Sequence, residues 1–145
     1  MRRISCFLLV NVTLTICMAQ PRTVWEVPPE ARKLKNKSSL TGEKMDSAVS
    51  LFNENCLICH GEKGASNGPE ASSLSPPPAS FTNAKMMAKA KDGELFWKIS
   101  KGRAPMPGYE SQLSEADRWQ LVNYVRHLTA RSQYRYLGSS RTPRR

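Results

Sequence analysis

Residues 54–64 read ENCLICHGEKG. Cys56 and Cys59 stand two residues apart, and His60 follows directly. Three chemistries use two thiols and an imidazole packed this tightly: a redox dithiol, a zinc site, or a covalently attached haem. The rest of the chain decides between them.

The chain has 145 residues, enough for one small domain, and a formal charge of +10. That charge sits at the ends. Arg2 and Arg3 precede an uncharged run, and residues 131–145 hold five arginines and no acid. Without those seven, 15 basic residues face 12 acidic ones, leaving +3. No basic stripe with interleaved aromatics crosses the interior, which argues against nucleic-acid binding.

The first 20 residues, MRRISCFLLVNVTLTICMAQ, have the order of a secretory signal: two arginines, an apolar run, then small residues for cleavage after Ala19. The run is shorter than the about 20 apolar residues of a membrane span, and Asn11 interrupts it. A retained anchor and a lipidated Cys17 are the alternatives, although Ile16 is bulky for the position before a lipidated cysteine. Cleavage would leave Cys56 and Cys59 as the cysteines of a periplasmic or otherwise exported protein.

Residues 20–40 read as an extended, polar N-terminal arm, with VPPE against helix. A first helix is predicted over about residues 43–57, with Ala48, Leu51, Phe52 and Leu57 on its apolar face. Residues 61–81 then carry three glycines and four prolines, a long irregular segment that needs something to wrap. A second helix fits residues 91–102. Leu95, Phe96 and Ile99 share one face, while Glu94, Lys98 and Lys101 form a polar stripe. The third starts at a capping-box-like Ser114/Asp117. Trp119, Leu121, Val122, Tyr124, Val125 and Leu128 make its apolar face; Gln120, Asn123 and His127 make a polar one. Residues 131–145 show little amphipathic pattern and are expected to form a mobile basic tail. No stretch shows period-two alternation. The expectation is an all-α domain over residues 41–130, with three or more helices and long loops.

C-x-x-C-H is the attachment signature of c-type haem. Each thiol adds across one vinyl group, the two intervening residues let both sulfurs reach, and His60 then lies under the iron. A zinc site wants four ligands; these residues offer three at most, and adjacent Cys59 and His60 crowd one tetrahedron. A thioredoxin-like dithiol wants a strand before its helix, and none is predicted. An electron carrier needs a second axial ligand. Met106, in APMPGY, is the candidate, because Pro105 and Pro107 stiffen its loop. A soft thioether stabilises ferrous iron and raises the potential. Met86 and Met87 are its rivals, in a lysine-rich, helix-like segment suited to packing.

These residues give the chain its likeness to a known family. CLICH, Gly68-Pro69, PMP and the aromatic-aliphatic last helix resemble a class I cytochrome c, over about residues 24–128. The chain is similar to small bacterial monohaem cytochromes and to cytochrome domains joined to some terminal oxidases. The resemblance implies one haem c held through Cys56 and Cys59, with iron ligands His60 and Met106. It also implies crossed first and last helices, with Ala48 and Phe52 packing against Leu121 and Tyr124. The family usually has glycine where Ala48 stands. Pro69, nine residues after His60, matches a proline whose carbonyl often accepts the imidazole N–H. Trp97 and Arg103 are candidates for the haem propionates, and as readily core and solvated residues; Trp25 is a candidate to cover a groove.

The function implied is single-electron transfer between redox partner proteins, donor and acceptor, whose docking surfaces would be acidic. Two filled axial positions argue against catalysis. A haem subunit of a dehydrogenase or oxidase complex, and a sensor or enzyme with an open sixth position, are the alternatives. The basic tail suggests peripheral contact with an acidic surface or an anionic membrane.

Overall fold

The computed structural model describes residues 25–139, with side chains through residue 137. The expected signal segment, residues 1–19, and Arg141, Arg144 and Arg145 lie outside these residues. The described residues form five helices: α1 (Gly42–Asn55), α2 (Leu57–His60), α3 (Ala84–Lys89), α4 (Asp92–Lys101) and α5 (Glu115–Ser139), with 3-10 turns at Ala31–Lys33 and Ala71–Ser73. They contain no β-strand, only one isolated bridge between Arg103 and Met106. None of their helices is long and apolar enough to cross a membrane. The architecture is all-α, as expected from the sequence, with long loops between the helices.

The fold is organised by α1 packing against α5. Ala48 and Phe52, one turn apart on α1, are fully buried against Leu121, Tyr124 and Leu128. Small Ala48 lets the two backbones approach, and Phe52 meets Tyr124 edge-on at 5.1 Å. Burying a side chain of the Phe52 kind contributes about 1.5–3 kcal/mol. A second cluster, Phe96 stacked on Trp119 with Val122 beside them, joins α4 to α5.

Local chemistry fixes the helix ends. The Asp117 N–H donates to Ser114 Oγ (3.1 Å), and the Ser114 hydroxyl donates to the Asp117 carboxylate (2.7 Å). On α4, Asp92 and Glu94 occupy the first turn and Lys98 and Lys101 the last, complementing the helix dipole. Arg126 on α5 knits three elements together. It donates to the carbonyls of Met87 (2.7 Å) and Ala90 (2.5 Å) and pairs with Asp92 at 2.8 Å.

Three features depart from the sequence reading. The N-terminal arm is docked: Val27 and Ala31 are buried, and Asn36 donates to Asn123 on α5 at 2.7 Å. Gln120, assigned to a polar face, is buried, and its Oε1 has no hydrogen-bond partner. Helix α5 continues through Ser139 instead of ending near residue 130, carrying exposed Tyr134, Tyr136 and Leu137 with it.

Candidate cofactor site

Helix α1 stops at Asn55, and one turn of chain carries the motif. The Cys56 carbonyl accepts from both Cys59 N–H (3.2 Å) and His60 N–H (2.8 Å). This turn puts both thiols and the imidazole on the wall of one cavity of about 460 Å³, within the size range of ligand sites. Gly68 lets the following loop close back: its N–H donates to the Cys59 carbonyl (3.3 Å). A Cβ there would strike the carbonyls of Leu57 and Ile58.

His60 is held from two sides. Phe81 stacks on its ring at 4.4 Å and 17°. Its Nδ1 lies 3.0 Å from the Ala79 carbonyl. A carbonyl only accepts, so Nδ1 carries the proton and Nε2 keeps its lone pair, the form that binds a metal. Burial holds the imidazole below its ordinary pKa, with the Ala79 contact pulling the other way. Both tautomer and charge state therefore suit a ligand.

That contact corrects one expectation. The carbonyl facing His60 belongs to Ala79, not to Pro69, which is exposed and does not line the cavity. The reason lies in residues 76–81. Their proline-rich run folds back over the ring, fastened by the Ser66 hydroxyl donating to the Pro78 carbonyl (2.6 Å) and Phe81 N–H donating to the Gly64 carbonyl (2.7 Å).

Cys56 has the wrong electrostatics for a redox thiol. Burial, and then neighbouring Cys59, push Cys56 up to about 12, whereas reactive dithiols need a lowered value. No disulfide joins Cys56 and Cys59. For zinc, no three His, Cys, Asp or Glu side chains converge as a metal set among the described residues. His127 stacks on Tyr124 instead.

Met106 lines the same cavity, as do Met86 and Met87. Met87 is fully buried, whereas Met106 is half-exposed on a shaped loop. Arg103 and Met106 exchange backbone hydrogen bonds of 2.9 and 2.8 Å. Gly102 enters the loop at φ +64°, where L side chains are strained. Tyr109 closes it: its N–H donates to the Ile99 carbonyl (3.0 Å) and its hydroxyl to the Asn55 carbonyl (2.6 Å). Burial, then Cys56 and Cys59, push the phenol up to about 12, so it stays a donor. Tyr109 was not singled out from the sequence; an aromatic directly after PMPG was the available signal.

The wall is mostly apolar, from Phe52, Leu95, Ile99 and Val125 among others. Lys89, Lys98 and Arg103 add positive charge, and Glu94 on the same wall is paired with Lys98 at 2.6 Å. Trp25 lines it too, whereas Trp97 stands behind Trp25. An apolar slot with two thiols, a metal-ready imidazole, thioethers and cations fits a flat, apolar, anionic group such as haem.

The family model described as cytochrome c oxidase, cbb3-type, subunit III, matches residues 43–125. Among solved structures, a chain of the Kuenenia stuttgartiensis reducing HAO-like protein complex is similar, with a TM-score of 0.55 and 27% identity. The likeness covers 63% of this chain and 46% of that one, so this chain spans less than half of its length. No curated protein matched the sequence.

Proposed function

This chain belongs to the cbb3-type cytochrome c oxidase subunit III family, a class I-like c-type cytochrome, and from that premise we propose that it carries single electrons between redox partner proteins through one covalently bound haem with His60 and Met106 as iron ligands. When bound, the haem supplies a one-electron ferric/ferrous couple. The chain supplies the rest. Cys56 and Cys59 are the thioether anchors. His60 offers Nε2 while Ala79 fixes its tautomer and makes it a stronger donor. Met106 offers a thioether from a loop that is already shaped. Phe52, Leu95 and Ile99 exclude water. Were His60 and Met106 both to hold the iron, little of the chain would have to move between oxidation states and neither side of the group would be open to a substrate. We therefore assign it no catalytic reaction.

The observation that carries this reading is the convergence of Cys56, Cys59, His60 and Met106 on one apolar cavity. Mass spectrometry of the mature protein, with an alkaline-pyridine haem spectrum, tests the attachment. One haem on two thioethers is expected; a haem-free chain sinks the proposal. The same mass tests the proposed export, because cleavage after Ala19 sets it. For the second ligand, the methionine-to-iron charge-transfer band should vanish in Met106→Ala and persist in Met86→Ala and Met87→Ala. Rapid carbon monoxide binding by the reduced wild type would instead favour an open sixth position.

A second reading, a haem subunit of a larger complex, is favoured by the oxidase-subunit description of the family and by the likeness to a chain of a multi-protein complex. Purification as a free monomer would count against it. In either setting the basic C-terminal region, with Arg131 and Arg135 on the exposed end of α5, is the proposed contact to an acidic partner or an anionic membrane. Its electron-transfer rate should then fall with added salt.

A further inference from the structure

The family match starts at residue 43, yet the arm before it reaches the cavity. The turn Ala31–Lys33 packs on α4 so closely that a Cβ at Gly93 would collide with the Ala31 carbonyl. This docking brings Trp25 to the cavity wall. Its ring meets Trp97 edge-on at 6.4 Å. The Lys98 ammonium lies 5.5 Å from its centroid and the Arg103 guanidinium 5.0 Å. Lys98 already pairs with Glu94 on its own helix. Arg103 differs because of its backbone: both its N–H and its carbonyl are hydrogen-bonded to Met106. Whatever holds the Arg103 side chain also restrains Met106.

We propose that Trp25 is a positioning residue for Met106: the docked arm grips Arg103 and so steadies the loop that presents the thioether to the cavity. The inference rests on the reading of Met106 as the second iron ligand. The loop is irregular chain held by the paired Arg103–Met106 hydrogen bonds and by Tyr109, and such a segment opens locally at lower free energy than a packed helix. Attraction between a guanidinium and an indole face is large enough to shift such an equilibrium several-fold. The arm therefore sets how often Met106 leaves its position, not which residue is the ligand.

The test uses the full-length, haem-loaded protein and the rate at which its reduced form binds carbon monoxide, which reports the fraction of molecules with Met106 displaced. Trp25→Leu and Arg103→Met should each bind about fivefold faster than wild type, which is about 1 kcal/mol at 1.4 kcal/mol per factor of ten. The double variant should be no faster than either single one, and Trp25→Phe should recover part of the loss. All should keep the methionine-to-iron band in the oxidised form. An unchanged rate in both single variants, or effects that multiply in the double variant, would overturn the proposal. If Trp25→Leu fails to fold, Arg103→Met tests the contact from its other end, and an unchanged rate there has the same consequence. A wild type that lacks the band, or binds carbon monoxide as fast as Met106→Ala, defeats the ligand assignment itself and the proposal with it.

Discussion

The α1–α5 crossing and the loop side of the cavity are built on different principles. At the crossing, Ala48, Phe52, Leu121 and Leu128 are almost completely removed from solvent, and contact among apolar surfaces does the work. Across the cavity the walls are irregular chain, held by separate hydrogen bonds: Nδ1 of His60 to Ala79, Ser66 to Pro78, Tyr109 to Asn55. The first region packs mainly on itself, although Phe52 and Leu121 also reach the cavity wall. The second is shaped around a space, and its apolar lining faces that space instead of other side chains. Cooperative folding of the loop side thus depends on what fills the cavity, and that of the crossing depends much less on it.

The strongest test of this contrast removes both proposed anchors. The Cys56→Ser/Cys59→Ser double variant, without attached haem, should lose its cooperative thermal transition while keeping part of its helical signal in circular dichroism. A sharp melt close to that of the haem-loaded protein would break the comparison. Next in size, Phe52→Ala in the haem-loaded protein should cost about 3–5 kcal/mol in denaturant unfolding, as large-to-small changes in tight cores do. A smaller cost arises at the seam between the regions. Arg126→Met leaves the Met87 and Ala90 carbonyls without their donor, and should cost about 2 kcal/mol and speed amide exchange in α3. The mildest change, Tyr109→Phe, removes one hydroxyl from the Asn55 carbonyl. It should cost about 1 kcal/mol, with faster exchange confined to residues 103–109. Global loosening of α1 in that variant would show that the two regions are not separable.

Legibility followed the same divide. The crossing could be read because Ala48 and Phe52, and Leu121, Tyr124 and Leu128, repeat at helical spacing, and Ser114 with Asp117 announces a start. The placing of Cys56, Cys59 and His60 on one cavity wall could be read because their spacing is local and fixed. The partner of His60 could not, since every residue owns a carbonyl and only the path of the chain selects Ala79 over Pro69. The docking of the arm depends on Val27, Ala31 and Asn36 meeting distant surfaces, which no local pattern encodes. Gln120 was misplaced because a buried polar residue inside an apolar helix looks like part of a wet face. The length of α5 was underestimated for a different reason. Amphipathic periodicity fades after Leu128, but Ala130, Arg131, Gln133, Arg135 and Leu137 are good helix formers, and no glycine or proline intervenes before Gly138. Propensity carries that helix on after burial has ended.

The oxygen that faces His60 belongs to the main chain, 19 residues away along the sequence. Exchanging the side chain of Ala79 leaves that oxygen in place, so the contact is insulated from most single substitutions. What can retune it is the length of chain between residues 60 and 79, where one inserted or deleted residue would present a different carbonyl, or none. The strength of the imidazole as a donor is thereby written in loop length rather than in residue identity.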